Sequence, residues 1–547
     1  MTGKLPTNLP PWLQEVWRHR TWLLVSAVVL FAMAVRLRLR EMPLERDEGE
    51  YAYAGQLILQ GVAPYKLVYN MKFPGTYAAY AVVMALFGQS SSGIHLGLMV
   101  VNAASILLVF LLGRKLLDAA AGVMAAVSFA LLSLSPAVLG LAAHANHFVM
   151  LAVAAGLVVL LRACETGRWI ACAASGCLFG LALLMKQHGL VFGVFGLLYL
   201  VWCRTRPGRW TGWKSFLRES ASFVSGFLLP ILLTCLMLWG AGVFKQFLFW
   251  TFAYAREYVG AVSLADAHEI ALRQIRIVAA PDFAFWVLAA IAAVMMWWED
   301  RLAGYRLLLI GFLLCSFVAW SLGLQFREHY FILLLPALSL FAGVAVSRAI
   351  YLVKHDKTIE LFLAVAIFGL LPLGIVFAFA EHGNVWFGLS AAKASSTIYG
   401  SNLFPETLEA ARYLAQRTSP DARIAVLGSE PEIYFYSGRR SATGYVYTYP
   451  LMEPQRYALR MQEEMIREIE QAQPGYVVFV KDNDSWLTRP NSQTRITDWW
   501  TAYWAAHYET DRTLPIEIEQ RRPWAKAQNP DDSPQEPKYL LVLKRKT

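Results

Sequence analysis

Thr21-Trp22-Leu23-Leu24-Val25-Ser26-Ala27-Val28-Val29-Leu30-Phe31-Ala32-Met33-Ala34-Val35 is long and apolar enough for a bilayer core, and it runs directly into Arg36, Arg38 and Arg40. A cleavable leader would end in a small-residue site rather than a cluster of arginines, so this run is expected to stay in place as a signal anchor. Similar runs recur to about residue 380, 57% of the chain is hydrophobic and only 16% is charged. A single soluble core does not account for so many runs, and the chain reads as a polytopic membrane protein.

Expected spans lie near residues 21–37, 94–112, 119–141, 147–162, 169–185, 189–203, 219–241, 283–298, 304–323, 330–349 and 359–380. With about eleven spans, the connections carrying Arg114 and Lys115, Arg162 and Arg168, the basic stretch 204–218, Arg301 and Arg306, and residues 348–357 all fall on the side of the N-terminus. The excess of positive charge in short loops assigns that side to the cytoplasm. The apolar stretch 76–87 is too short to cross, and it is expected as a re-entrant or interfacial helix within the first outer loop, residues 38–93. From residue 390 the pattern turns soluble, with β-rich runs at 423–428, 476–480 and 539–543 alternating with helical stretches at 406–417 and 463–471. The expected fold is therefore an all-α membrane bundle with a C-terminal soluble α/β domain, divided as 1–20 cytoplasmic, 21–380 transmembrane and 390–547 extracytoplasmic.

Composition narrows the function. The six cysteines all lie in or beside spans and carry no disulfide framework. The net charge of +10 is explained by cytoplasmic loops and contact with anionic membrane lipids, and no nucleic-acid motif accompanies it. No internal repeat of the secondary-transporter kind is visible.

The unusual polar residues all fall on the outer side. Arg46-Asp47-Glu48-Gly49-Glu50-Tyr51 and Lys72-Phe73-Pro74-Gly75 occupy the first outer loop, and His144, Asn146 and His147 the second. Lys186, Gln187 and His188 follow, then Tyr254, Arg256, Glu257, Arg273 and Arg276, then Gln325, Arg327, Glu328, His329 and Tyr330. Ionisable groups at the edge of a membrane bundle are costly unless they pair or bind something, so this set marks a candidate site. An acidic pair followed by a lysine suggests chemistry on a lipid-borne phosphate. Plainer roles compete: Asp47 and Glu50 fit a D-x-x-E capping box ahead of residues 51–60, whereas Glu48 fits neither cap role. Lys72 could snorkel to the headgroups, and Arg327, Glu328 and His329 could form a local ion pair. His144-x-Asn146-His147 could bind a divalent ion, but a metal site needs three or four converging ligands and this spacing is not diagnostic, so a polar lining of the acceptor cavity is the favoured reading. The aromatic runs at 434–436 and 445–449 suit a half-buried strand.

Taken in order, Asp47-Glu48-Gly49-Glu50-Tyr51-Ala52-Tyr53-Ala54, Gly61-Val62-Ala63-Pro64-Tyr65, Lys72-Phe73-Pro74-Gly75 with Leu86-Phe87-Gly88, Leu112-Gly113-Arg114-Lys115-Leu116, and Arg327-Glu328-His329-Tyr330-Phe331 ahead of Leu335-Pro336 form an ordered set. With it the chain resembles GT-C membrane glycosyltransferases of the protein-mannosyltransferase-like branch, glycosyltransferase family 39 type, which includes the aminoarabinose transferases acting on lipid A. The resemblance covers residues 20–345 or so. It implies a polyprenyl-phosphate-linked sugar donor and an envelope acceptor (lipid, glycan or protein) at the outer face of a bacterial inner membrane. Within that reading Asp47 or Glu48 is the catalytic base, Asp47 being favoured, and Lys72, Arg327 and His329 bind the donor phosphate. Tyr65, His144, Asn146, His147, Lys186, Arg256 and Tyr330 are expected to line the cavity. No cofactor is required, because a preformed phosphate leaving group and resident cations make a metal dispensable. The other classes are a transporter or flippase of lipid-linked saccharides and a non-catalytic envelope scaffold.

Overall fold

The computed structural model describes residues 11–210, 212–260, 262–354, 358–400, 403–515 and 538–546. Residues 1–10 of the expected N-terminal segment and 355–357 of one basic connection lie outside that range. A helix occupies each of the eleven expected spans. By length and apolarity six described helices can cross a bilayer: His19–Arg38, Ser91–Leu116, Ala145–Thr166, Trp213–Gly240, Leu335–Lys354 and Leu361–Gly388. Leu264–Ala279 and Phe283–Trp298 make a seventh only if the pair, bent by 111°, counts as one span. Ala119–Ser133, Trp169–Met185, Gly189–Thr205 and Arg306–Ser321 are apolar but shorter, as is Pro74–Phe87 in the first loop. Two expected spans shorten because helix gives way at a break. The 119–141 run ends at Ser133, ahead of a 3-10 turn at Pro136–Val138, and the 330–349 run is a 3-10 turn up to Leu333 before the helix begins at Leu335.

The chain forms two compact units, one from the described parts of residues 1–38, 98–233 and 268–388, the other from 39–97, 234–267 and 389–547. In the first, basic residues read from sequence as flanking charge are internal ties. Buried Arg36 donates from Nη2 to the carbonyls of Ser133 (2.9 Å) and Gly140 (3.0 Å). The Ser133 carbonyl closes a helix, so the guanidinium satisfies an orphan acceptor at the negative end of the dipole. Arg38 likewise donates to the Trp386 carbonyl at 3.0 Å. Elsewhere in this unit Arg204 pairs with Glu219 and donates to the carbonyls of Ala163 and Cys164 near the end of the Ala145–Thr166 helix.

Helices of this unit meet through small residues. A Cβ on Gly226 would stand 2.0 Å from the carbonyl oxygen of Ala173, and one on Gly176 would stand 2.0 Å from that of Phe223. The Trp169–Met185 and Trp213–Gly240 helices thus approach backbone to backbone, the packing used where lipid removes the hydrophobic drive for association.

The second unit contains five strands: β1 Arg423–Leu427, β2 Arg440–Ser441, β3 Tyr476–Lys481, β4 Tyr508–Pro515 and β5 Tyr539–Arg545. Their order is β2-β1-β3-β5-β4, parallel across β2-β1-β3 and antiparallel across β3-β5-β4. β1 and β3 read as near-continuous apolar runs because strands inside a helix-covered parallel sheet bury both faces. Phe404–Arg417 and Ala458–Ala472 lie where the amphipathic pattern places them. The aromatic run at 434–436 is not a strand but part of the helix Glu432–Ser437, and 445–448 is irregular chain.

The Arg46–Leu59 helix of the first loop belongs to this unit. It packs so closely on Glu432 that a Cβ at Gly49 would meet the Glu432 backbone nitrogen at 2.7 Å. Burial first, and the Glu430 charge second, push the Glu432 carboxyl up to about 8.

Two measurements follow from this packing. Gly226→Ala should lower the melting temperature in detergent, with about 1–3 kcal/mol lost to overpacking. Glu432 holds its proton more tightly folded than unfolded. The stability it contributes is therefore complete below its ordinary value of 4.5 and is lost as pH rises to about 8. Melting temperatures recorded over that window should fall less steeply for Glu432→Gln than for the wild type.

Candidate active site

The Arg46–Leu59 helix starts with a capping box two residues earlier than the sequence suggests. Glu45 is the N-cap, its Oε1 accepting from the Glu48 amide at 2.8 Å, while Glu48 Oε2 accepts from the Glu45 amide at 3.2 Å. Asp47 and Glu50 are therefore not the capping pair, and Glu48, expected to fit no cap role, fills one. Its other oxygen lies 3.1 Å from His95 Nε2, and His95 Nδ1 lies 2.8 Å from the Arg40 carbonyl. A neutral imidazole has one N–H to give, so a second proton is shared between His95 and Glu48. Glu48, one of the two expected candidates for the general base, is fully buried. Burial, then the charges of Asp47 and Glu48, hold Glu45 well above the usual carboxylate range.

Asp47, at the second helical position, projects to Lys72. The Lys72 ammonium donates to Asp47 Oδ1 and to Glu50 Oε2, both at 2.7 Å. Asp47 and Lys72 are 24% and 21% exposed, whereas Glu50 is sealed behind them. Glu50 also accepts from Asn70 Nδ2 at 2.9 Å and from the Tyr77 hydroxyl. The ammonium lies 4.5 Å from the Tyr51 ring centre and 5.2 Å from that of Tyr447, whose hydroxyl donates to Asp47 Oδ1 at 3.0 Å.

Lys72 is aimed by what surrounds it in the chain. Pro74 opens the Pro74–Phe87 helix, and the residue before it, Phe73, is extended as a pre-proline residue must be. Tyr65, expected to line a cavity, is buried. It holds a left-handed conformation (φ 63°) and donates its hydroxyl to the Lys72 carbonyl at 2.7 Å. Burial alone would lower the Lys72 ammonium, but Asp47 and then Glu50 more than reverse this and hold it well above the lysine range. Burial raises Glu50 despite the opposing pull of Lys72. The cluster thus offers a permanent cation and one half-buried carboxylate, a charge-stabiliser and a proton acceptor.

Within the other unit a second set assembles. His144, N-cap of the Ala145–Thr166 helix, stacks on His329 with ring centres 4.3 Å apart and planes 11° from parallel. Asn146 Nδ2 donates to the His329 carbonyl at 2.6 Å. Tyr330 meets the His329 ring edge-on, and the Lys186 ammonium lies 3.8 Å from its ring centre. Arg327 is exposed at the head of the Glu328–Leu333 turn, just after the left-handed residues Leu324 and Phe326. His147 is buried in the first turn of its helix. Arg256, in the second unit, is exposed on the short helix Ala255–Val259, beside Glu257, which pairs with Arg456 at 3.2 Å.

Sequence reasoning missed Glu50 as the second Lys72 partner, along with Asn70, Tyr77, His95 and Tyr447. Glu50 was legible from its i,i+3 spacing to Asp47. Tyr447, 400 residues from Asp47, carries no local signal.

A family model described as dolichyl-phosphate-mannose-protein mannosyltransferase matches residues 72–239. The fold is similar to that of ArnT from Cupriavidus metallidurans, solved bound to undecaprenyl phosphate, at a TM-score of 0.57 and 16% identity, covering 96% of this chain and 98% of that one. The Archaeoglobus fulgidus oligosaccharyltransferase in the apo form gives a TM-score of 0.46 at 13% identity, covering 93% of this chain and 75% of that one. No curated protein sequence matches the chain significantly. The family-model match over residues 72–239 and the likeness of fold support a GT-C superfamily membrane glycosyltransferase.

Proposed function

We propose that this protein transfers a sugar from a polyprenyl-phosphate-linked donor to an acceptor at the outer face of a bacterial inner membrane. The observation that carries the reading is Lys72 bridging Asp47 and Glu50, with Asp47 and the ammonium half-open and Glu50 sealed. The undecaprenyl phosphate bound to ArnT supports the donor class. Basic connections on the N-terminal side support an N-terminus in the cytoplasm and the C-terminal sheet outside.

In the proposed reaction the acceptor hydroxyl gives its proton to Asp47 as its oxygen bonds to the anomeric carbon. The bond from that carbon to the phosphate oxygen breaks, and its electron pair leaves with the polyprenyl phosphate. The donor phosphate carries one negative charge and the departing phosphate two, so Lys72 serves the charge that develops during the step. Asp47 is the base, because Glu48 is spent on the helix cap and His95. In the other unit the exposed Arg327 fork, with His329 beside it, and Lys186 are cations and donors suited to a phosphate headgroup. The buried His144, Asn146 and Tyr330 pack against His329 and Lys186, and no step calls for a metal.

Purified protein in detergent, offered a panel of radiolabelled polyprenyl-phosphate sugars, should consume one of them. Asp47→Asn and Lys72→Ala should each cut that turnover by about 100-fold or more. A panel left intact by the wild type would turn the reading toward transport or scaffolding.

A further inference from the structure

The parallel part of the sheet has a switch point. Chain leaving β1 crosses to β2 on one side, and β3 lies on the other. In parallel α/β sheets the crevice outside the carboxyl ends of two such strands is where ligands bind. Here that crevice is formed by Ser429 and Glu430 after β1 and by Asp484 and Ser485 after β3. The two loops are laced together: the Ser429 amide donates to Ser485 Oγ at 2.8 Å, and Ser485 Oγ donates to Glu430 Oε2 at 2.7 Å.

The occupant is Arg46 of this same chain. Its Nε donates to the Ser429 carbonyl at 2.6 Å, its Nη2 to Glu430 Oε1 at 3.0 Å and its Nη1 to the Tyr449 hydroxyl at 2.7 Å. Tyr449 in turn donates to the Asp484 carbonyl at 2.9 Å. The residue after Arg46 is Asp47, and the residue two before Tyr449 is Tyr447, whose hydroxyl donates to Asp47 at 3.0 Å. Between the two tyrosines, Thr448 is pinned to the same loops. Its amide donates to Ser429 Oγ, and its hydroxyl donates to the Ser485 carbonyl, both at 3.0 Å. One stretch, 447–449, therefore grips two consecutive residues, one of which is the reacting carboxylate.

We propose that the C-terminal sheet is a positioning domain for the chemistry, its switch-point crevice filled by Arg46 instead of a ligand and its Tyr447 hydroxyl orienting the Asp47 carboxylate. This rests on the reading of Asp47 as the base. Arg46 sets where the N-terminus of the acidic helix lies, and Tyr447 fixes the carboxylate plane by claiming Oδ1 alongside Lys72. Tyr447 is thus a positioning residue acting through Asp47.

The test uses the full chain in detergent, the polyprenyl-phosphate sugar that the wild type consumes, and undecaprenyl phosphate as a binding probe. Tyr447→Phe should lower kcat about tenfold, while KM for the donor, Kd for undecaprenyl phosphate and the melting temperature stay within twofold or 2 °C or so of wild type. A kcat within twofold of wild type, or a loss matched by weaker probe binding and a lower melting temperature, overturns the positioning role and leaves the transferase reading standing. A wild type that consumes no donor overturns both. A second arm needs no donor: Arg46→Ala should speed amide hydrogen exchange across residues 46–59, and Arg46→Lys should restore part of the protection. Unchanged exchange in Arg46→Ala overturns the clamp.

Discussion

The site is organised around one ammonium group held between two carboxylates. Removing a lysine from water is expensive, and it is tolerated only where opposite charge and hydrogen bonds replace what is lost. Asp47 and Glu50 supply the charge, and the rings of Tyr51 and Tyr447 face the ammonium. Neighbouring features then serve these partners. Asn70 and Tyr77 satisfy Glu50, Tyr65 holds the Lys72 backbone, and Pro74 sets the direction of the helix that follows. Burial raises Glu50 against the pull of Lys72 and the Tyr77 hydrogen bond, and the neighbouring Asp47 charge adds to the rise.

Helical geometry divides the work among six consecutive residues. Glu45 and Glu48 are three apart and close the cap on each other, and Asp47 and Glu50 are three apart and share Lys72. Arg46 points elsewhere, into the sheet crevice, while Gly49 allows the helix to lie against Glu432 with no Cβ between them. Three carboxylates in four residues would repel one another on an isolated helix. Here each is answered by its own set of partners, with Lys72 common to two of them: an amide and His95 for Glu48, Lys72 and Tyr447 for Asp47, and Lys72, Asn70 and Tyr77 for Glu50.

What was legible in the sequence was what local periodicity encodes. Apolar runs predicted where helices form, and alternating soluble patterns located β1, β3 and β5 with the helices between them. The cap register was misread because Asp is the better N-cap residue and D-x-x-E matched first, while Glu45 caps by virtue of its tertiary setting. Aromatic alternation at 434–436 suggested a strand, but these hydroxyls are spent on distant amides: Tyr434 accepts from Val426, and Tyr436 from Leu44 of the first loop. Arg36 and Arg38 looked like flanking charge, and only tertiary structure shows that they satisfy carbonyls. Asp47 and Lys72 stood out by residue type and separation, whereas Tyr447 became visible only once the chain was folded.

The shared lysine also links the two halves of the proposed reaction. While Asp47 is ionised, Lys72 is attracted to two carboxylates, and little of its field is available to a phosphate. When Asp47 takes the acceptor proton its charge disappears, and Lys72 is left with Glu50 alone. At that moment the departing phosphate gains its second negative charge. Proton uptake at one carboxylate therefore frees the cation for the leaving group at the time it is needed, so its stabilisation is stronger in the transition state than in the ground state. Glu50 has a distinct part in this arrangement. Sealed from solvent and fixed by Asn70 and Tyr77, it keeps the ammonium in place through the change, so the stabilising charge needs no large movement to act.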